Sequence, residues 1–561
     1  MSRDAMMRSN SISQSLRELS AGDRVLLKTL VSCALTTLVF GVVLGLITAL
    51  IRTGYAGAEP QSGYRMMTGH GVTVFFYWLY FAQMALLMAL SAAQSSDEAR
   101  IAFAPVAWGG VLLMVLGFAA SQIGTWTGSP LLYDGSPDLV GENKWQAGSF
   151  YTGYVLLALG LFLLAVSAIA TAIASKVRSG QRVWSTIGFA VVAWAGLVMV
   201  SSLATLNTFL PAAAWAFGWG QEPANHSTGW HLLFHNLHYL PLMGTVIIWY
   251  ALVQDLTGVG SIFGQRFSKG IFALYLIFVP PTSLYHMFLE PGLSPVLRGL
   301  GSLLSLFISV PTIAVFLVIV SSLEAHARAR GARGLFGWLR MLPWREPAMA
   351  AIGMAVANLA LGGIFAFVLI QERLAPLLSD TFFVPAYFHF LTIGTVTLTL
   401  LAAFTWSMPA LFHRPLWAPR LLRVLPYTLT AGLAMFGVAG MTAGLNGMPR
   451  RVLDVAYDGT APQLWTAMSP IIGIGAVIMA LSLLFYVALL VGTALGAGRQ
   501  QVLAAPKPFI LATTESAAIR QKAWTAPLCV LVLVIGMYAA TILTFALLRA
   551  LPLASAAGGS H

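Results

Sequence analysis

The sequence predicts an all-α protein, a polytopic membrane bundle of about thirteen transmembrane helices. Three observations carry that expectation. Of 561 residues, 58% are hydrophobic and only 9% are charged, whereas a soluble globular chain carries about 25% Asp, Glu, Lys and Arg. Mean hydropathy is +0.80. Apolar stretches of about 20 residues, long enough to cross ~30 Å of hydrocarbon as helices, recur along almost the whole chain. The same figures exclude a soluble multidomain protein, a disordered chain, collagen and a coiled coil.

Taken in order, the stretches run Val25 to Leu50, Met66 to Ala93, Ile101 to Ile123, Ser149 to Ala174, Val183 to Leu210 and Trp230 to Val253. They continue with Ile271 to Leu289, Leu300 to Leu323, Ala351 to Ile370 and Phe382 to Phe404. Leu425 to Met441, Leu464 to Leu495 and Ala526 to Leu548 complete the series. The expected organisation is a cytoplasmic N-terminal tail over residues 1–24, a single transmembrane domain over 25–550 and a short C-terminal tail over 551–561.

With the N-terminus in the cytoplasm, about 23 of the 31 Lys and Arg fall on the cytoplasmic side and about 8 on the other, which sets the orientation. Most of the net charge of +12 is then explained by topology, and no nucleic-acid partner is expected. Arg3, Arg8, Arg17 and Arg24 lie in a polar segment that lacks the apolar core and cleavage site of a signal peptide. The expected location is a bacterial inner membrane. Cys33 and Cys529 lie inside apolar runs without a CxxC neighbour, so they support no disulfide framework, zinc site or thiolate copper site. The loops are too short for a soluble catalytic domain. The longest, Gly124 to Gly148, has room only for a small lid, so any chemistry lies among the helices.

Ionisable residues inside spans are costly and mark functional sites. His70 lies about one turn inside the second span, counted from the outer face. His231, His235 and His238 occupy the first two turns of the sixth, His286 sits near the outer end of the seventh, and His389 lies about two turns into the tenth. Six histidines from four helices thus share one layer near the outer surface. One of them alone reads as a histidine hydrogen-bonded in a helix interface; six in a layer point to metal or heme, because neutral imidazole is the commonest ligand for both. His226, His326, His413 and His561 fall in loops or the tail and read as solvated. In the sixth span, Tyr239 follows His235 by four residues and shares its face. In the tenth, Tyr387 and His389 are two residues apart, about 200° around a helix, a placement suited to two different cofactors.

Six motifs follow in order: TGHGV around His70, the His235 to Tyr239 spacing, LYHMFLEPG from Leu284, SLLSLFISVPT from Ser302, PAYFHFLTIGTVTLTL from Pro385 and GMPRR ending at Arg451. Together they resemble subunit I of the heme-copper oxidase superfamily, specifically its B-type branch, over nearly the whole chain. The resemblance implies that His70 and His389 are the axial ligands of a low-spin heme, of b type. It implies that His235 and His286 ligate an active-site copper, that Tyr239 stands beside it, and that Arg450 and Arg451 bind heme propionates. Tyr250, Ser302 and Ser305 match hydroxyls of a proton path from the cytoplasmic side.

Two positions depart from the pattern. Tyr285 stands where the B-type branch has the first of two adjacent histidines, and Tyr387 stands where it has the ligand of a second, high-spin heme. Tyrosinate can ligate heme iron, and Tyr285 or the extra His238 is a candidate to complete a site for copper or non-heme iron. The alternative reading is a chain that lacks the second heme or the second metal. The leading expectation is a respiratory terminal oxidase subunit that reduces dioxygen with electrons from a cytochrome or cupredoxin. The alternatives are a nitric oxide reductase and a non-catalytic heme relay. The chain has neither a cysteine-rich dinuclear copper motif nor CxxCH, so electron entry calls for a separate donor subunit or soluble protein.

Overall fold

In the computed structural model, residues 12–94, 99–180, 182–282, 294–498 and 523–550 are described, with the side chains of 232–235 and 282 excepted. The long helices are α1 Ala21–Arg52, α2 Pro60–Ala92, α3 Ala104–Thr127, α4 Lys144–Arg178, α5 Thr186–Ala216, α6 His226–Thr257 and α7 Gly264–Thr282. They continue as α8 Pro295–Ala329, α9 Pro347–Leu369, α10 Phe383–Phe412, α11 Pro419–Leu445, α12 Gln463–Leu495 and α13 Thr525–Ala550. Among the described residues, 12 of these are long and apolar enough to cross a membrane. The remaining one, α7, has 19 described residues, and the outer part of the expected seventh span lies outside the described residues. The architecture is therefore the expected all-α polytopic bundle.

Helix ends follow the sequence. Ser20 caps α1 by accepting the Asp23 N–H at 3.1 Å, and α2 opens on Glu59 as cap with Pro60 at its first turn. The last helix is docked from a distance: the backbone N–H groups of Trp524, Thr525 and Ala526 all donate to the buried carboxylate of Glu324 on α8. An anion at a helix N-terminus satisfies donors that the helix itself leaves orphaned.

Side-by-side packing depends on glycine where backbones touch. On α3, Gly110 and Gly117 are seven residues apart and meet Gly160 and Gly153 of α4. A β-carbon on Gly110 or Gly117 would stand 2.8 Å from the opposing glycine carbonyl oxygen. Small residues at such crossings allow the close approach on which helix association in lipid depends.

Two histidines read as solvated are buried instead. His226 begins α6 and its Nε2 bonds the Asp134 carbonyl at 2.9 Å. His326 lies in the last turns of α8, with Nδ1 2.9 Å from the Thr257 carbonyl. The reason is common to both: helices continue past the apolar runs, α6 from His226 rather than Trp230 and α8 to Ala329 rather than Leu323, and their ends pack on neighbouring loops. His413 is exposed, in a left-handed turn at the end of α10. His561 lies outside the described residues. The N-terminal residues form a short helix, Ile12–Arg17, whose Ile12 and Leu16 are buried.

Candidate functional site

A cavity of about 690 Å³ reaches Arg450 and Arg451 at one end of the bundle. His70, His231, His238, Tyr239, Tyr387 and His389 all line it. Four of the six histidines of the expected layer, His70, His231, His238 and His389, thus face one space, from α2, α6 and α10.

His70 and His389 are held alike. The His70 Nδ1 stands 2.8 Å from the Gly41 carbonyl of α1, and the His389 Nδ1 stands 2.5 Å from the Pro385 carbonyl one turn back. A carbonyl only accepts, so Nδ1 carries the proton in both rings and Nε2 keeps its lone pair. Backbone acceptors of this kind fix tautomer and orientation in metal-ligating histidines. Gly45 makes room for the His70 imidazole, because a β-carbon there would lie 2.6 Å from its Nδ1. The His389 ring packs at 4.8 Å on Phe436.

Each of these histidines stands within one turn before a stretch of wider, π-type helix, His70 three residues before Thr73–Trp78 on α2 and His389 directly before Phe390–Thr397 on α10. Such stretches are rare and gather at functional sites. The two are joined to each other: the buried Trp78 indole N–H donates to the Thr397 hydroxyl at 3.0 Å. Asn358 of α9 donates to the Gly394 carbonyl inside the second stretch at 3.2 Å, satisfying backbone that the altered winding leaves open.

At the rim, the GMPRR loop is held by a residue that the sequence reading passed over. The buried Arg52 guanidinium at the end of α1 donates to the carbonyls of Pro449, Arg450 and Val452. Tyr64 adds a bond to the Arg451 carbonyl at 3.2 Å. Arg450 pairs with Asp380 at 2.9 Å and Arg451 with Asp134 at 3.1 Å. Burial works against the charge of Arg451, but the Asp134 carboxylate and Tyr133 outweigh it and hold the guanidinium above its ordinary pKa. The Nε atoms of both arginines are buried without a hydrogen-bond partner among the described residues. Two orphaned charged donors side by side fit carboxylate groups entering from the cavity.

The hydroxyl residues divide into two groups. Tyr239 bonds the Thr312 hydroxyl, which Tyr275 also approaches at 3.4 Å. Nearer the other end, Tyr250 donates to Ser268 at 3.1 Å, and Ser268 meets Ser261 at 2.8 Å. The Phe272 ring stands between, 5.5 Å from Tyr250 and 6.1 Å from Tyr275 by centroids. Ser305 bonds back to the Gly301 carbonyl of its own helix, and the buried Ser302 hydroxyl has no partner among the described residues. Thr312 was visible as the last residue of SLLSLFISVPT; Tyr275, Ser268 and Ser261 gave no sequence signal beyond being hydroxyls near apolar runs.

His238 is set among aromatic rings, 4.3 Å from Phe75, 5.5 Å from Phe388 and 6.0 Å from Phe76. Tyr387 is buried and packs on Phe383 at 5.8 Å. The His235 side chain, Tyr285 and His286 lie outside the described residues. Among the described residues no group of three or more His, Cys, Asp and Glu is arranged to hold a metal ion.

The model of the cytochrome c and quinol oxidase polypeptide I family matches residues 25–481. The chain belongs to this family. Cytochrome c oxidase subunit 1 of Thermus thermophilus is 27% identical over 462 residues, 80% of this chain and 79% of its own length. Cytochrome c oxidase polypeptide 1 of Halobacterium salinarum is 28% identical over 196 residues, 35% of this chain and 30% of its own. A solved heme-copper terminal oxidase dimer shares the fold, with a TM-score of 0.78 at 22% identity, covering 94% of this chain and 92% of that one. Membership makes the chain an integral membrane, heme-copper oxidase subunit I-like protein of electron transport, in an oxidoreductase family whose cofactors are hemes and copper.

Proposed function

We propose that the chain is the heme-bearing subunit of a membrane terminal oxidase, with one low-spin heme b between His70 and His389. The observation that carries this reading is the matched pair of imidazoles on one cavity, each with Nδ1 on a backbone carbonyl and Nε2 left to bind. Heme supplies one-electron transfer at that place. Around it, Arg450 and Arg451 offer their buried Nε donors to the propionates, and Asp380 and Asp134 hold the guanidinium planes in position. Electrons enter from the outer side, from a separate cytochrome or cupredoxin subunit or soluble donor, and the N-terminus is cytoplasmic.

Protons come from the opposite end. Ser261, Ser268 and Tyr250 form the entry group, Tyr275, Thr312 and Tyr239 the delivery group, and a water beside Phe272 joins them. Tyr239 then hands a proton into the cavity. The expected assignment of Ser302 and Ser305 to this path is kept only as lining, since Ser305 is engaged by its own helix. His235 and His286, with Tyr285 or His238, are the candidate ligands of copper or non-heme iron. Tyr387 is the candidate ligand or wall of a second heme. Retention of Tyr239 favours dioxygen as substrate.

Replacement of two family ligands by tyrosine favours the second reading, a nitric oxide reductase or a heme relay. The deciding experiment is heme and metal analysis of the purified complex, with carbon monoxide binding and turnover on dioxygen and on nitric oxide. Two hemes per chain with dioxygen turnover support the oxidase; one heme without carbon monoxide binding supports the relay.

A further inference from the structure

The end of the bundle opposite the heme cavity carries a group of cations that the activity leaves unexplained. Arg24 and Lys28 lie one turn apart on α1, an arrangement in which like charges repel. The Lys28 ammonium stands 4.8 Å over the Phe412 ring at the end of α10, and His413 and Arg414 follow directly. Arg414 lies across Gly496 at the end of α12, where a β-carbon would be 3.1 Å from its guanidinium. Arg24 folds back to cap the short N-terminal helix through the Arg17 and Leu19 carbonyls, at 3.0 and 2.8 Å. Its Nε is buried without a partner among the described residues. Five basic groups from three segments, Arg17, Arg24, Lys28, His413 and Arg414, therefore meet at one place.

Among the described residues no carboxylate pairs with them. The nearest acids in sequence are engaged elsewhere: Asp23 accepts from Ser20 and from the Ile101 N–H, and Glu18 from Gln14. Burial, and then the charges of Arg24, Lys28 and Arg17, hold the His413 imidazole below its ordinary pKa. Assembling these groups without a counter-charge is unfavourable.

The surroundings specify the source of that counter-charge. Trp417, 38% exposed, packs against Gly492 and bonds Thr493 through its backbone N–H at 3.0 Å. Tryptophan at this depth marks the headgroup level of a bilayer. Exposed apolar side chains of the flanking helices, Val25, Leu421, Val491 and Leu495, adjoin the cations along the bundle. Charge above and hydrocarbon surface below match a phospholipid rather than a free ion.

We propose that this cluster is a binding site for the phosphodiester of an anionic phospholipid, whose acyl chains lie on α1, α11 and α12. The phosphate bonds Lys28 and Arg414, with Arg24 and the His413 N–H completing the seat. Such a lipid ties the N-terminal helix and α1 to the α10–α11 turn and so stabilises the half of the bundle that carries His389.

The test uses the purified complex in detergent, with phosphatidylglycerol, phosphatidylcholine of identical acyl chains, or inorganic phosphate added. Native mass spectrometry reads retained lipid, and thermal unfolding reads its consequence. Phosphatidylglycerol should be retained and should raise the midpoint, while phosphatidylcholine and phosphate should do neither. The pair Lys28→Gln and Arg414→Gln should weaken retention about thirtyfold, two charges at ~1 kcal/mol each, and Lys28→Arg with Arg414→Lys should restore it. If the neutral pair does not fold, native protein in about 0.5 M NaCl should release the lipid. Equal retention of both lipids, native retention after neutralisation, salt-insensitive binding, or a full midpoint shift with inorganic phosphate overturns the proposal. Each of these leaves the heme reading untouched.

Discussion

At the scale of single residues, the site is a matter of which atom of each ring is left to bind. The His70 and His389 imidazoles both present Nε2 because backbone carbonyls take Nδ1. His70→Ala and His389→Ala should each abolish a six-coordinate low-spin heme spectrum that does not respond to carbon monoxide. An unchanged reduced-minus-oxidised spectrum in both would remove the assignment. Gly45 gives a subtler test. Gly45→Ala places a methyl group 2.6 Å from the His70 ring, so heme occupancy should fall or the iron's electron paramagnetic resonance should shift while helix content by circular dichroism stays native. Thr312 connects two tyrosine hydroxyls. Thr312→Val keeps its shape and removes the relay, and turnover should fall by about tenfold or more with the heme spectrum intact.

At the scale of elements, the decisive features are two departures from regular α-helix. α2 and α10 each widen within one turn after a histidine, and the Trp78 to Thr397 bond ties the widened turns together across the bundle. Their relative position therefore fixes the separation of the two imidazoles. Trp78→Phe leaves the Thr397 hydroxyl unpaired in a dry interior and should cost about 1–3 kcal/mol of stability. Heme should remain bound, with a shifted resonance from altered ring orientation; an identical resonance would show that the two turns are positioned by other contacts. Composition and apolar length made thirteen helices legible at once, since each stretch must satisfy its own backbone in lipid. The π turns were not legible, because Thr73–Trp78 and Phe390–Thr397 are apolar runs like their neighbours and differ only in winding.

At the scale of the whole molecule, residues far apart in sequence meet at one rim. Arg52 from α1 holds carbonyls of the 449–452 loop, and Asp134 from the longest expected loop pairs with Arg451. Arg52→Gln removes a buried guanidinium and loosens that loop. Stability should fall by about 2–4 kcal/mol, and heme should dissociate faster in detergent than from Arg451→Gln, in which the loop itself stays clamped. Equal rates in the two variants would confine Arg52 to stability alone. At the opposite end, the tail expected over residues 1–24 is partly packed on the bundle, since Ile12 and Leu16 are buried within it.

The sequence by itself determined the class, the family and the residues with chemistry to offer. Hydrocarbon imposes a length and a composition on every span, and ionisable groups inside spans are few enough to stand out, so His70, His389 and Tyr387 were identifiable without coordinates. Only the tertiary structure decided what those groups are offered to. It supplied Gly41 and Pro385 as acceptors, Arg52 as the clamp on the arginine loop, Asp134 and Asp380 as counter-charges, and Thr312 as the partner of Tyr239. The same separation explains His226 and His326, whose polar neighbours in sequence suggested water and whose neighbours in space are backbone carbonyls. A residue's chemistry is local and is written in its side chain. Its hydrogen-bond partner and its burial depend on packing between segments hundreds of positions apart, where no pattern of spacing reaches.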